Sequence, residues 1–167
     1  MQKSITNTAN ATGIVGTFSR SNDQDAHGAI LVSATEANNV VGRAVKSVAT
    51  NANEVGVAAS GNLAGLLVTP KIAYRPSLAA QAFLPNGMQC EVATKGYVFV
   101  NLLSAANAGD FVYYSDTTGE LISAAPGVAP AAGYTRLNGG LVKRLTDAAG
   151  FNEIYFDLAG STETPTA

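Results

Sequence analysis

The stretch whose residue types come nearest to a reactive or metal-binding site is Asn22-Asp-Gln-Asp-Ala-His-Gly28, with two carboxylates one residue apart, the chain's single histidine and a glycine. A calcium loop beginning at Asp23 would need a bidentate glutamate at position 34, where Ala34 stands, and no helical pattern flanks it. The stretch therefore reads as a polar turn. His27 would also have to serve any Ser-His-Asp or Cys-His site, and it lies in the least patterned part of the chain. Cys90 is the only cysteine, so neither an intrachain disulfide nor a thiolate zinc cluster can form. In Met88-Gln-Cys-Glu-Val92 it shares a strand face with Met88 and Val92, which suits a buried thiol. Asp110 and Asp116 flank Tyr113 and Tyr114, two carboxylates of the kind acid/base work requires. Asp110, however, follows Gly109 where a strand begins, and Asp116 starts a turn, places where carboxylates accept local backbone N–H bonds. Asn10-Ala-Thr12 has the form of a glycosylation sequon but no secretory signal to deliver it. These readings assign no catalytic, cofactor-binding or metal residue.

The elements that would position such groups are short strands. Ala108 to Ile122 reads as strand, turn and strand, opened by Gly109-Asp110 and folded back at Thr117-Thr118-Gly119. Before it, Gly96 to Leu103 is a near-continuous apolar run suited to a central strand. Further strands are expected over residues 40–48, 54–59, 63–69, 88–94, 140–145 and 152–158; in the last, Ile154, Phe156 and Leu158 share one face. Residues 124–133 read as a connection rich in Pro, Ala and Gly, and Pro76–Leu84 as the only short helix, stopped by Pro85-Asn86-Gly87. Residues 1–39 are polar, with apolar anchors at Ile14-Val15 and Phe18 and one short strand at 29–33, so they read as an extended N-terminal arm. The expected organisation is an all-β fold: an arm at 1–39, a single β-barrel or jelly-roll/sandwich domain of short antiparallel strands at 40–160, at most one short helix, and a flexible tail at 161–167.

Composition bounds the function. The chain of 167 residues suits one domain, but 29 of its apolar residues are alanines, so its core is expected to be thin or shared with a partner. Charged residues make up only 13% and the net charge is −2, with no basic block to neutralise phosphates. Nucleic acid is therefore not expected as a partner. Nor is a membrane, since no apolar run approaches the roughly 18 residues of a span. Without a signal sequence, synthesis in a cytoplasm is expected.

The order Gly96-Tyr-Val-Phe-Val, then Ala108-Gly-Asp-Phe-Val-Tyr-Tyr-x-Asp-x-x-Gly-x-Leu121, a Gly/Ala-rich stretch and a closing Ile154-Tyr-Phe-Asp-Leu158 resembles the small capsid cement, or decoration, proteins of tailed bacteriophages. Val40-Val-Gly-Arg-Ala-Val-Lys46 after a low-complexity arm resembles that family's first core strand, so the likeness spans about residues 40–158. It implies a β-barrel or jelly-roll that binds the outer surface of an icosahedral shell in the virion and bridges neighbouring subunits of the major capsid protein. It implies no catalytic residue. A homo-oligomer, dimer or trimer, would bury apolar side chains and present several shell-binding surfaces in fixed geometry.

On this reading the capsid-binding candidates are Ile14, Val15, Phe18 and Arg20 in the arm, followed by Arg43, Lys71 and Arg75 for pairing with acidic shell loops. The rivals are a tail or fibre component, a carbohydrate-binding sandwich using Tyr97, Tyr113, Tyr114 or Tyr155, and a carboxylate-only glycoside hydrolase.

Overall fold

The computed structural model describes residues 13–21, 23–69 and 84–159. The expected helix, apart from Leu84, and the C-terminal tail lie outside the described residues. Among the described residues there are nine strands: β1 Asp25–Leu31, β2 Ala44–Val48, β3 Asn51–Gly56, β4 Leu63–Val68, β5 Gln89–Leu102, β6 Phe111–Ser115, β7 Leu121–Ala124, β8 Tyr134–Val142 and β9 Gly150–Asp157. The one helical element among the described residues is a 3-10 turn, Glu36–Asn38. No helix there is long and apolar enough to cross a membrane.

The sheet closes on itself twice. β1, β3, β2, β4 and the first half of β5 form one ring; the second half of β5 with β7, β6, β8 and β9 forms another. The two runs expected at 88–94 and 96–103 are thus one 14-residue strand. Its register gives β1 residues 89–95 and β9 residues 95–102 along one edge. Along the other edge lie β4, against residues 91–93, and β7, against Leu102. Closed rings leave few bare strand edges.

Each ring has its own core. Leu31, Val45, Val55, Leu67, Cys90 and Val92 fill the first. Val98, Val100, Leu102, Val112, Tyr114, Leu137, Ile154 and Phe156 fill the second. Val98, Val100 and Leu102 point into it by strand alternation, as Ile154 and Phe156 do from β9. Ala44, Leu66, Val68 and Ala93 join the second core, so the rings pack against each other. A chain rich in alanine thus has two compact cores divided by one strand.

The rings are also latched at the β6–β7 turn. The Ala44 N–H donates to the Gly119 carbonyl at 2.8 Å. Arg43 pairs with Glu120 at 2.8 Å, and Lys46 with Asp116 at 2.5 Å. β2 begins later than expected because the chain first turns at Val41-Gly42, with Gly42 donating to the Leu67 carbonyl. The short strand expected at 29–33 is β1, Asp25–Leu31, a strand of the first ring. Tyr134–Gly139, unassigned by sequence, begins β8.

Candidate functional site

The segment before β1 runs along β5 in the gap that β4 and β7 leave. The Ser19 N–H donates to the Tyr97 carbonyl at 2.9 Å, the Phe99 N–H to Thr17 at 3.0 Å, and the Gly16 N–H to Phe99 at 2.7 Å. Phe18 and Val98 form the antiparallel bridge between them, and the Thr69 N–H reaches back to Gly16 at 2.7 Å. The chain then crosses over β5 to its other edge at Gly96. There a side-chain carbon would lie 3.1 Å from the Phe18 ring and 3.3 Å from Asp23 and Gln24 backbone atoms.

A groove of about 310 Å³ opens beside this seam, lined by Val15, Val40, Val41, Leu103 and Leu121, with Asn101, Arg43 and Glu120 completing it. Leu103 is 47% exposed and Ile14, adjacent to Val15 in the chain, 53%. Arg43 does not reach freely from the surface: it also donates to Asn38 at 3.0 Å and to the Thr118 carbonyl at 3.2 Å.

Around the outer face of β5 and β9 is a second cluster. Tyr97 and Tyr155 are paired across the strands, centroids 4.8 Å apart. The Arg20 guanidinium lies 3.9 Å above the Tyr97 ring and bonds Glu153 at 3.3 Å, while Lys143 is 5.5 Å from the Tyr155 ring. Lys95 bridges Asp23 at 2.8 Å and Asp157 at 3.3 Å, and the Tyr155 hydroxyl donates to Asp23 at 3.2 Å. These bonds, that of Lys95 foremost, hold the Asp23 carboxyl below its ordinary range, and the same two carboxylates raise Lys95. Burial raises Tyr155. Arg20 and Lys143 flank the aromatic pair, and the carboxylates nearby already have partners.

Of the seven residues singled out from the sequence, the fold brings Val15 and Arg43 to one groove. Ile14 stays exposed, Phe18 packs against the second core, and Arg20 covers Tyr97. Lys71 and Arg75 lie outside the described residues. Leu103 and Val40 were missed as groove residues because an apolar run gives no sign of where its last side chain points.

The chemistry-bearing residues fall elsewhere. His27 is on exposed β1 opposite Val92. Cys90 is buried against the Ala29 carbonyl, and burial pushes its thiol up to about 11. Asp110 accepts the local Asn107 N–H at 2.8 Å, as a turn carboxylate should. Asp116 departs from that expectation. Ser115 accepts the Thr117 and Thr118 N–H groups, while Asp116 takes Lys46 and, at 2.6 Å, the Thr135 hydroxyl. Those two donors hold its carboxyl low. Tyr113 and Tyr114 are buried, so neither offers a platform. Among the described residues no group of three or more His, Cys, Asp or Glu could hold a metal ion.

Residues 1–156 match a family model described as structural cement protein (E217 gp24/Pam3 gp6). No curated protein matches the chain. Among solved structures, a chain from the capsid of Myoviridae Phage XM1 superposes with a TM-score of 0.58 at 15% identity, covering 92% of this chain and 98% of that one. That likeness shows a shared fold.

Proposed function

The chain belongs to the phage structural cement protein family, and from that premise we propose that it binds the outer surface of the capsid and ties neighbouring major capsid subunits together. It is a capsid-stabilising structural protein of the virion. The observation that carries the finer reading is the groove at the seam of arm, first ring and second ring, where Val15 and Arg43 meet the exposed Leu103.

A shell under the pressure of packed DNA opens where subunits part, and a protein bound across the seam adds its binding free energy to the barrier. An apolar side chain from a shell subunit fits the groove. Burying about 100 Å² of apolar surface there contributes roughly 2.5 kcal/mol at about 25 cal/mol per Å². Many copies in a fixed lattice make such modest contacts sufficient. The protein acts as a homo-oligomer, synthesised in the host cytoplasm, with the major capsid protein as its partner and no direct contact with DNA or membrane. It carries no enzymatic activity.

The geometry weighs against the rivals. A sugar platform needs an open aromatic face, and Arg20 already covers Tyr97. Paired catalytic carboxylates need free oxygens facing one cleft, and Asp116 is ion-paired while Asp110 serves its own turn.

Leu103→Asp tests the reading. Decorated, DNA-filled capsids should lose at least about tenfold in bound protein while circular dichroism and the melting temperature stay those of the parent. Full occupancy by the variant would remove the groove from the interface; copurification of the parent protein with isolated tails in place of heads would sink the shell-binding reading altogether.

A further inference from the structure

The segment Gly16–Ser19 is a strand donor held in a slot made by the rest of the chain. Without it the backbone groups of Tyr97 and Phe99 on that edge of β5 would lack partners, between β4 on one side and β7 on the other. Its connection to the body is short: from Ser19 to the start of β1 at Asp25 the chain must cross over β5 at Gly96. Asp23 makes that crossing in the left-handed region, φ 58°, a tight-turn conformation that Asp tolerates better than most residues. Short hinges of this kind are where identical elements exchange between copies.

We propose that this arm is exchanged: the arm of one copy fills the β5 slot of a second, and reciprocal exchange closes a two-fold dimer. Donor and acceptor belong to the same sequence, so every contact of the arm is available in the partner: Phe18 against the second core, Val15 in the groove, Ser19 and Arg20 on Glu153. Exchange leaves those contacts unchanged while opening the turn at Asp23, whose carboxylate is held by Lys95 and the Tyr155 hydroxyl in the closed form. What opposes it is the effective concentration of the tethered arm, about millimolar for a short linker. Neighbouring copies on a shell reach comparable local concentrations. The inference rests on the cement reading only for where copies meet, and it gives the homo-oligomer a physical link.

Phe18 and Val98 are opposite residues whose flanking positions carry the backbone bonds, so their Cα atoms are about 4.5 Å apart, within disulfide reach. In a Cys90→Ala background, Phe18→Cys and Val98→Cys chains with different tags are coexpressed, oxidised and run without reductant. A disulfide-linked heterodimer is expected, because the two cysteines can meet only across copies. The double variant on one chain is the reference. If it closes only internally and the mixture gives no heterodimer up to about millimolar protein, exchange is overturned. If the double variant forms no disulfide at all, the arm is not in the slot and the proposal falls as well.

Because Phe18→Cys removes a core-edge ring, a second measurement leaves the slot untouched: Gly-Ser-Gly-Ser inserted after Ser21. At about millimolar protein, where exchange outcompetes the tethered arm and the parent should be dimeric, the longer hinge should shift light-scattering mass from dimer towards monomer, and an unchanged mass overturns the proposal. Capsid binding separates the two readings. Linked dimers that fail to decorate shells would sink the cement interface and leave exchange standing; decoration by a protein that never exchanges would do the reverse.

Discussion

At Gly119 the backbone has φ +68°, and a side-chain carbon would lie 2.4 Å from the Ala44 carbonyl oxygen. The glycine turns the β6–β7 hairpin and also lets that turn lie against β2. Gly119→Ala should therefore destabilise by about 1–3 kcal/mol, more than the cost of a turn glycine alone. Urea denaturation reads this directly, and a shift within error of zero would mean the turn does not press on β2. Asp116, in the same turn, supplies a pH signature. Its carboxyl is held below the ordinary value of 3.8 by Lys46 first and Thr135 second, so the folded protein binds the proton less readily than the unfolded chain. Its contribution is complete above about pH 5, where the unfolded carboxyl is almost fully ionised, and is lost as pH falls through the folded value. Asp116→Asn should lower the melting temperature at pH 7 and narrow the drop between pH 5 and 2.5; an acid slope equal to the parent's would exclude this pair. That Asp110 and Asp116 were turn residues was legible in sequence. That Asp116 spends its carboxylate on a lysine 70 residues away was not, because the spacing of residues carries no sign of which turn meets which strand.

Among the elements, β5 decides most. The pattern at 96–103 announced a central strand, and the closing strand at 152–158 was read nearly to its ends. The pattern separates a strand at 88–94 from the one that begins at Gly96. The glycine instead marks where the N-terminal segment passes over an unbroken strand. Gly96→Val should clash with Phe18 and the Asp23–Gln24 backbone, cost about 1–3 kcal/mol, and displace the arm. Limited trypsin digestion would then cut at Arg20 faster than in the parent. Unchanged cleavage would mean the crossing tolerates a side chain. The start of β8 escaped sequence reading for a different reason. Of Tyr134-Thr-Arg-Leu137 only Leu137 is fully buried, and Arg136 stacks over Phe111 at 3.8 Å, so the strand has no apolar alternation to show.

At the scale of the whole molecule, two five-stranded rings share one strand, and cooperativity should follow from that sharing. Leu31→Ala in the first core should cost about 2–5 kcal/mol and Phe156→Ala in the second about 3–5 kcal/mol. Both variants should still unfold in a single transition, with the β5 amides the slowest to exchange hydrogen. Two resolved transitions would show that the rings melt independently. By itself the sequence determined the all-β class, most strand positions, the turn residues and the likeness to phage cement proteins, since period-two alternation, glycine and turn chemistry act over a few residues. Only the tertiary structure decided that the sheet closes twice, that Gly16–Ser19 completes an edge of β5, and that Val15, Arg43 and Leu103 share a groove. Those outcomes depend on hydrogen-bond register and packing between segments far apart in the chain, where many pairings satisfy the same local pattern and only burial of both cores at once selects one.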